Sequence, residues 1–204
     1  MSRKGTAKEI FVQRALDMFL KNGVRTTMDE ISRQLKISKR TIYEQFEDKT
    51  DLMRACVALM MENQVELPDL NTGDVVTTIY RTIRDDVLNL FGQNSIFLLN
   101  LRNYYPEIYD EMIRPRVDNV LVFVKSGFRK GMEEGLICKE MNEDVYCPYL
   151  VGFIYHVTSD SANMFKRHNH LEVFHSTILP LLRGVLTEEG IRKMDAAIRE
   201  PEKK

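Results

Sequence analysis

Signals for the start of an α-helix recur along this chain, and they constrain its fold more than any other feature. Thr6 is followed three residues later by Glu9, and Thr27 by Glu30, so each pair fits the capping box that begins many helices. Apolar residues then recur at the spacing of one helix face, and no sustained two-residue alternation bounded by hairpin turns interrupts them. The sequence therefore predicts an all-α fold.

Helical periodicity and turn residues divide the chain into ten predicted helices. Pro115, Pro148 and Pro180 fall inside three of them. Each is expected to mark a kink or a helix start, because proline lacks a backbone N–H. The predicted spans are about 7–21, 28–35, 39–45, 49–66, 74–91, 95–103, 107–134, 143–167, 171–186 and 188–199.

Charge is distributed unevenly along the sequence. Residues 1–46 contain ten Lys or Arg and five Asp or Glu, a net charge of +5. The whole chain has a net charge of −1, so the remaining 158 residues carry −6. A basic segment joined to an acidic remainder suggests that only the basic part meets a polyanion. The alternative is that this basic segment is simply exposed to solvent and binds no partner.

Composition argues against several other classes of protein. The longest uninterrupted apolar run covers seven residues, 55–61, whereas a membrane-spanning helix needs about 20. The apolar stretch 10–20 contains Arg14 and Asp17, so it does not have the form of a signal peptide. Three widely spaced cysteines form no CxxC pair, and reduced thiols are expected. We therefore expect a cytoplasmic protein without a metal or other cofactor.

One segment, 24–52, carries the clearest functional motif. It reads as two short helices joined by a tight turn. Ile31 and Leu35 share one face of the first of these helices. Together with Ile37 and Ile42, they have the spacing to pack against one another and against the preceding helix. This pair is a helix-turn-helix unit, whose second helix enters the major groove of DNA.

The second helix of this pair has a core face and a solvent face on a wheel of about 100° per residue. With Ile42 turned to the core, Arg40 and Glu44 point the opposite way. Thr41 and Tyr43 flank them, and the preceding lysine lies nearer one edge. Side chains of these types suit phosphates and base edges, since Arg can bind guanine through two hydrogen bonds.

The segment resembles the DNA-binding domain of TetR-family transcriptional regulators. The resemblance covers residues 8–55, and the length and helical character of the remainder agree with the second domain of that family. It implies a helix-turn-helix DNA-binding domain over 1–47 and a helical ligand-binding and dimerisation domain over 48–204. The matching residues are Phe11, Ala15, Phe19, Asn22, Gly23, residues 26–31, residues 35–38, residues 41–43, Phe46, Lys49, Asp51 and Leu52.

Phosphate contacts are implied at three matching positions. Thr27, at the start of the second helix, would hold a phosphate, as would Tyr43 and Lys49. Packing alone is the alternative for the tyrosine, and helix capping is a compatible role for the threonine.

Base contacts are implied on and beside the second helix of the helix-turn-helix unit, the recognition helix (about 39–45). Lys39, Arg40 and Thr41 would read bases, although an ordinary solvated face is the alternative for the two basic residues. Ser38, the predicted N-cap of this helix, completes its N-terminal end. Met28 lies where some members place a base-contacting residue.

Two residues depart from the family pattern. Lys36 occupies the turn, where the family usually has glycine, and a left-handed conformation there would cost a lysine roughly 1 kcal/mol. Its basic side chain would offset this cost near a phosphate. Ser32 stands where a small alanine is common, and serine is small enough to fit.

Two further sets of residues are predicted for the C-terminal domain, with ordinary core packing as the alternative for both. The last two long helices would form the dimer interface across a two-fold axis, through Leu150, Gly152, Ser159, Ile178, Leu181, Leu182 and Val185. The central helices would line an apolar ligand pocket with a few polar groups. Its predicted residues are Phe97, Leu101, Tyr104, Tyr105, Tyr109, Phe123, Tyr149 and Phe153.

The function expected from this sequence is sequence-specific, ligand-responsive regulation of transcription by a homodimer. A small amphipathic or apolar molecule would release a repressor from a palindromic operator on double-stranded DNA, and no enzymatic activity is expected. A helical adaptor that binds protein is one alternative, and a metalloprotein is another. The candidate metal ligands are His168, His170, Glu172 and His175, whose spacing matches no zinc pattern.

Overall fold

The computed structural model describes residues 6–62, 66–88, 95–164 and 168–200, without the side chains of 95 and 156–164. Within these ranges the chain is helical, with one isolated antiparallel bridge between Ile137 and Leu186. The predicted all-α fold is confirmed. No described helix has the length and apolar character needed to cross a bilayer.

Twelve α-helices follow one another along the described ranges. The π-helical turn Phe174–Ile178 lies between the tenth and eleventh of them. The helices are α1 Ala7–Asn22, α2 Met28–Leu35, α3 Lys39–Tyr43, α4 Lys49–Glu62, α5 Val75–Asp86, α6 Ser95–Tyr104, α7 Pro106–Met112, α8 Arg114–Glu133, α9 Glu143–Met164, α10 His170–Val173, α11 Leu179–Gly184 and α12 Glu188–Arg199.

Both predicted capping boxes are present. Thr6 Oγ1 accepts a hydrogen bond from Glu9 N at 3.2 Å, and Glu9 Oε2 accepts one from Thr6 N at 2.7 Å. The same pair of bonds joins Thr27 and Glu30 at the start of α2. Each box satisfies two backbone N–H groups that a helix N-terminus leaves open, which explains where α1 and α2 begin.

Prolines account for two differences from the predicted helices. The span predicted at 107–134 is two helices, α7 and α8, because Pro115 is the second residue of α8 and begins a new helix. The span predicted at 171–186 is divided by the π-helical turn, and Pro180 lies in the first turn of α11. Pro148 lies inside α9 and does not end it.

The chain forms two compact units, and each unit combines two separate segments of the sequence. The first, the head unit, comprises 1–64 and 96–115, and the second, the body unit, comprises 65–95 and 116–204. This division differs from the predicted boundary after residue 47. It places α4, α6 and α7 with the three N-terminal helices.

The head unit has its own apolar core. Phe11 packs on Phe46 with their ring centroids 5.7 Å apart, which ties α1 to the residues after α3. Each fully buried Leu, Ile or Phe contributes about 1.5–3 kcal/mol to stability. The described side chains of this core with no exposed surface are Ala15, Phe19, Ile31, Leu52, Met53, Cys56, Val57, Leu101 and Ile113.

The body unit is closely packed where α8 meets α5. A Cβ added at Gly127 would lie 2.8 Å from Ile79 Cδ1, so a larger residue would require the side chain of Ile79 to shift. Tyr80 and Phe174 pack with their ring centroids 6.0 Å apart in the same core. A small apolar cavity in this unit is lined by Val76, Ile79, Phe128, Ile137, Leu182, Leu186 and Met194.

Candidate nucleic-acid interface

The turn between α2 and α3 is built around a lysine in the left-handed conformation. Lys36 has φ 55° and ψ 41°, and its N–H donates to the carbonyl of Ser32. The hydroxyl of Ser32 donates in turn to the carbonyl of Ile37 at 2.7 Å. The predicted conformation of Lys36 is therefore confirmed. The serine, which departs from the usual alanine, contributes a side-chain hydrogen bond across the turn.

The orientation of α3 agrees with the helical wheel. Ile42 is 2% exposed, whereas the side chains on the other faces are exposed, including Tyr43 at 50%. Ser38 caps the helix, because its Oγ accepts a hydrogen bond from Thr41 N at 3.1 Å. The core contact and the cap thus hold a short helix with Lys39, Arg40, Thr41 and Tyr43 on its surface.

Both basic side chains of α3 have a carboxylate partner. Arg40 Nε donates to Glu44 Oε1 at 3.0 Å, one helical turn further on. Lys39 forms an ion pair with Asp29 of α2. The recognition surface is therefore a set of paired charges rather than a uniformly basic patch. Sequence reasoning had placed Glu44 beside Arg40 on the wheel but assigned neither carboxylate to the site.

The hydroxyl group of Thr27 makes both of its hydrogen bonds within the capping box. Its hydroxyl accepts from Glu30 N and lies 2.9 Å from Glu30 Oε2, to which it donates. Bonds from the backbone N–H and then the hydroxyl of Thr27 lower the pKa of Glu30 below its usual value. The hydroxyl has no second proton, so the predicted phosphate contact requires it to leave Glu30.

Two of the predicted DNA-binding side chains, those of Met28 and Lys49, are less exposed than the side chains on the surface of α3. Met28 is 8% exposed and belongs to the head core, which corrects its assignment as a base-contacting residue. Lys49 is half-buried, with Nζ 6.0 Å from the ring centroid of Phe19 and 5.9 Å from that of Tyr105. Burial lowers the pKa of Lys49, and the charge of Glu30 opposes this shift. Its ammonium group lies near two aromatic rings of the head, and its phosphate contact stays a prediction.

The residues predicted for a ligand pocket are divided between the two units. Five belong to the head unit, and of these Phe97 and Leu101 are buried. Tyr104 is 49% exposed, and its hydroxyl accepts a hydrogen bond from Arg25, whose Cζ lies 4.7 Å from the ring centroid. Tyr105 and Tyr109 are half-buried in this unit. In the head unit, Tyr104 therefore has a structural role of its own.

Three predicted ligand residues belong to the body unit. Phe123 is buried, whereas Tyr149 is 58% exposed and stacks on Phe153 with their ring centroids 6.2 Å apart. None of the three lines the apolar cavity of this unit. The predicted pocket residues thus do not come together in one described cavity, and ligand contact stays a prediction.

The predicted dimer residues lie mostly beneath the surface of the body unit. Leu150, Ile178, Leu182 and Val185 are buried in the protomer itself, as the alternative of core packing predicts. Leu181 is half-buried and Gly152 is exposed, whereas the side chain of Ser159 lies outside the described residues. Buried side chains cannot face a partner directly, so their assignment as interface contacts is corrected.

One exposed side of the first half of α9 is nonetheless apolar. Val145 is 67% exposed and Tyr149 58%, and both lie on the same side of the helix as Gly152. A Cβ added at Gly152 would meet no other atom within 4 Å. This α9 face, defined by Val145, Tyr149 and Gly152, is an apolar surface that one protomer leaves open.

The histidine cluster does not assemble into a metal site in the described part of the chain. His168 Nδ1 lies 3.0 Å from Glu172 Oε1, one turn apart. Among the described residues, no group of three or more His, Cys, Asp or Glu could hold a metal ion. Burial lowers the pKa of His170. These positions give the metalloprotein alternative no support.

The fold and the exposed α3 surface together define a helix-turn-helix DNA-binding protein. Residues 11–56 match the sequence model of the bacterial regulatory proteins of the tetR family. The resemblance to this family is confirmed, and the head unit carries a TetR-family DNA-binding domain. A comparison with curated proteins gave no match.

Solved structures of TetR-family regulators share the fold over most of the chain. A TetR transcription regulator from Haloarcula marismortui has 19% identity and a TM-score of 0.71, covering 88% of this chain and 97% of its own. PfmR from Thermus thermophilus has 17% identity and a TM-score of 0.66, with coverage of 85% and 97%. FadR from Bacillus subtilis, solved in complex with stearoyl-CoA, has 16% identity and a TM-score of 0.62, with coverage of 87% and 99%.

Proposed function

We propose that this protein is a homodimeric repressor of transcription that a small molecule releases from its operator. The observation that carries the proposal is the surface of α3, which presents Lys39, Arg40, Thr41 and Tyr43 while Ile42 holds the helix to the head core. The TetR-family match over 11–56 supports the same function. The protein would act in the cytoplasm, where its DNA lies.

DNA recognition would divide between base edges and phosphates. Arg40, whose side chain is 89% exposed, can bind guanine through two hydrogen bonds. Thr41 can contact a thymine methyl group or a phosphate, and the Tyr43 hydroxyl can donate to a phosphate. Ser38 would contribute as the N-cap that positions Thr41. Lys39 would contribute as a cation, but its ion pair with Asp29 must break before it can bind DNA.

Two copies of the head would be needed to bind two half-sites, which lie about 34–36 Å apart on DNA. The α9 face supplies an apolar surface for a second copy, and the small residue at Gly152 allows two helices to approach closely. Leu150 and the other buried residues predicted for the interface would support this surface from the core. We therefore place the two-fold axis of the dimer beside α9.

The effector would be an apolar or amphipathic small molecule. FadR from Bacillus subtilis, which shares this fold, was solved with stearoyl-CoA, a molecule of that kind. An effector can shift DNA binding only if its affinity differs between the DNA-bound and free conformations. Release would follow from tighter binding to the conformation in which the two recognition helices no longer match the half-sites.

Selection of bound duplexes from a random DNA pool tests the proposal, followed by the salt dependence of the enriched sequence. We expect a palindrome with two half-sites and a steep fall in affinity with salt, since each neutralised phosphate contributes about −0.9 to the log–log slope. Arg40→Ala should lose roughly 1–3 kcal/mol of base discrimination. Arg192→Ala, on exposed α12 of the body unit, is the matched control and should change neither quantity. Absence of any enriched duplex, together with an affinity for unselected DNA that does not change with salt, would favour the adaptor alternative.

A further inference from the structure

The pair formed by Arg40 and Glu44 has unused hydrogen-bonding capacity on both sides. Glu44 Oε1 accepts from Nε of Arg40 at 3.0 Å. No other bond to either side chain occurs in the described part of the structure, so both terminal nitrogens of Arg40 remain open. The second carboxylate oxygen of Glu44 is open as well. The pair therefore offers a two-pronged donor next to an acceptor.

The position of the pair makes this capacity available to a ligand. The side chains are 89% and 57% exposed, and they lie on the face of α3 opposite the buried Ile42. Residues four apart on a helix have Cβ atoms about 5–6 Å apart, which spans one to two base steps of DNA. The anchoring bond through Nε orients the guanidinium plane and leaves its outer edge free.

A carboxylate on a DNA-facing surface is costly unless it is used. Glu44 repels phosphates, and Asp29 offsets the neighbouring Lys39, so the α3 surface has less net positive charge than its basic residues alone would give. In the major groove the cytosine N4 amino group is a donor that a carboxylate can accept. Guanine presents two acceptors, O6 and N7, which match the outer edge of Arg40.

We propose that Arg40 and Glu44 read a guanine and a cytosine within one two-base-pair step of each half-site. Arg40 donates to guanine O6 and N7 through its terminal nitrogens, while Glu44 holds Nε and accepts from cytosine N4. Glu44 is thus a specificity-determining residue, and its negative charge lowers the affinity for all other sequences. This inference rests on the proposed function, since it assumes that α3 enters the major groove.

The test compares sequence preferences of Glu44→Gln and Glu44→Ala with those of the unaltered protein, by selection from a random duplex pool and by affinities for single-base variants of the enriched site. Glutamine can still accept from Arg40 Nε but carries no charge. We expect Glu44→Gln to keep the guanine preference and to lose about tenfold of the preference for cytosine. Affinity for unrelated DNA should rise in both variants, because a repulsive charge has been removed.

Controls separate this inference from loss of folding and from failure of the proposed function. Glu189→Gln removes a carboxylate from a similar exposed pair with Arg192 on α12, and it should leave the preferences unchanged. Each variant should unfold at the same temperature as the unaltered protein, which excludes loss of folding. If the unaltered protein enriches a palindrome but neither variant changes the base preferred at any position, the reading by Glu44 is wrong while the proposed function stands. If the unaltered protein enriches nothing, both proposals fail together.

Discussion

Arg116 donates from Nη2 to Oδ1 of Asp86 at 2.5 Å, and this ion pair lies in the interior of the body unit. The two side chains are only 12% and 10% exposed. Burial raises the pKa of Asp86 above its usual value, and the bond from Arg116 acts in the opposite direction. Asp86 Oδ2 and Arg116 Nε have no partner among the described atoms, so the pair is only partly satisfied.

Removing one member of this pair should destabilise the protein strongly. Arg116→Met leaves the carboxyl group of Asp86 buried without its partner, and we expect the free energy of unfolding to fall by about 3–5 kcal/mol. Urea denaturation followed by circular dichroism measures this change. A double variant, Asp86→Leu with Arg116→Met, should recover most of the loss because it buries no charge. Equal losses in the single and double variants would show that packing, not charge pairing, is responsible.

Acid should weaken the link between α5 and α12 through Asp74. Its carboxylate caps α5 through Thr77 N at 2.7 Å and pairs with Lys193 Nζ at 2.8 Å. Burial would raise the pKa of Asp74, but the bonds from Lys193 and Thr77 outweigh burial and lower it below its usual 3.8.

The sign of the resulting pH dependence follows from that direction. A lowered pKa means that Asp74 contributes stability above about pH 4, which is lost as the pH falls through the pKa of the folded state. In Asp74→Asn, which can still cap the helix, the unfolding midpoint should depend less on pH in this range. Urea midpoints between pH 3 and pH 7 check this, with Asp118→Asn at an exposed position as the control. Parallel curves for Asp74→Asn and the unaltered protein would contradict the assignment.

The left-handed conformation of Lys36 should appear as a difference between glycine and alanine at this position. Both substitutions remove the amine, but only alanine keeps the Cβ that opposes a φ of 55°. We expect Lys36→Gly to be more stable than Lys36→Ala by about 1 kcal/mol. Thermal or urea unfolding of the two variants measures the difference, and an alanine variant at least as stable as the glycine variant would disprove the strain.

Gly190 should tolerate no larger residue. A Cβ at this position in α12 would collide with the backbone carbonyl of Leu136, which cannot move aside as a side chain could. We expect Gly190→Ala to lower the free energy of unfolding by about 1–3 kcal/mol, since the fit requires a backbone shift. Gly184→Ala is the matched control, because a Cβ there would meet no atom within 4 Å. Similar stabilities for the two variants would refute the close approach of α12 to residue 136.

A charge on the α9 face should separate the proposed dimer. Tyr149 is more than half exposed, so Tyr149→Arg should leave the fold of a protomer intact while burying a cation in any interface at this face. Analytical ultracentrifugation should show a shift from dimer to monomer, with weaker binding to a two-half-site duplex. Val122→Arg, at another exposed apolar position of the body unit, tests whether the effect is specific to α9. A Tyr149→Arg protein that remained dimeric would place the interface elsewhere.

The sequence predicted correctly those features that depend on neighbouring residues. The capping boxes at Thr6 and Thr27 and the left-handed turn at Lys36 each involve groups within five positions of one another. The wheel placed Arg40 and Glu44 opposite Ile42 for the same reason, since helical geometry alone relates these positions. The resemblance implied a base-contacting position for Met28, whereas the burial of this side chain depends on the packing of the whole head.

The sequence by itself thus determined the helical class of the chain, the capped starts of α1 and α2 and the side chains that α3 presents, because backbone hydrogen bonding and helical periodicity act locally. Only the tertiary structure decided that α6 and α7 join the head unit, where Arg54 of α4 pairs with Glu111 of α7. It also decided that Lys39 meets Asp29, and that Leu150 lies inside the protomer. These outcomes depend on which helices pack together. Packing brings together residues that are far apart in the chain, and no local sequence pattern indicates such contacts.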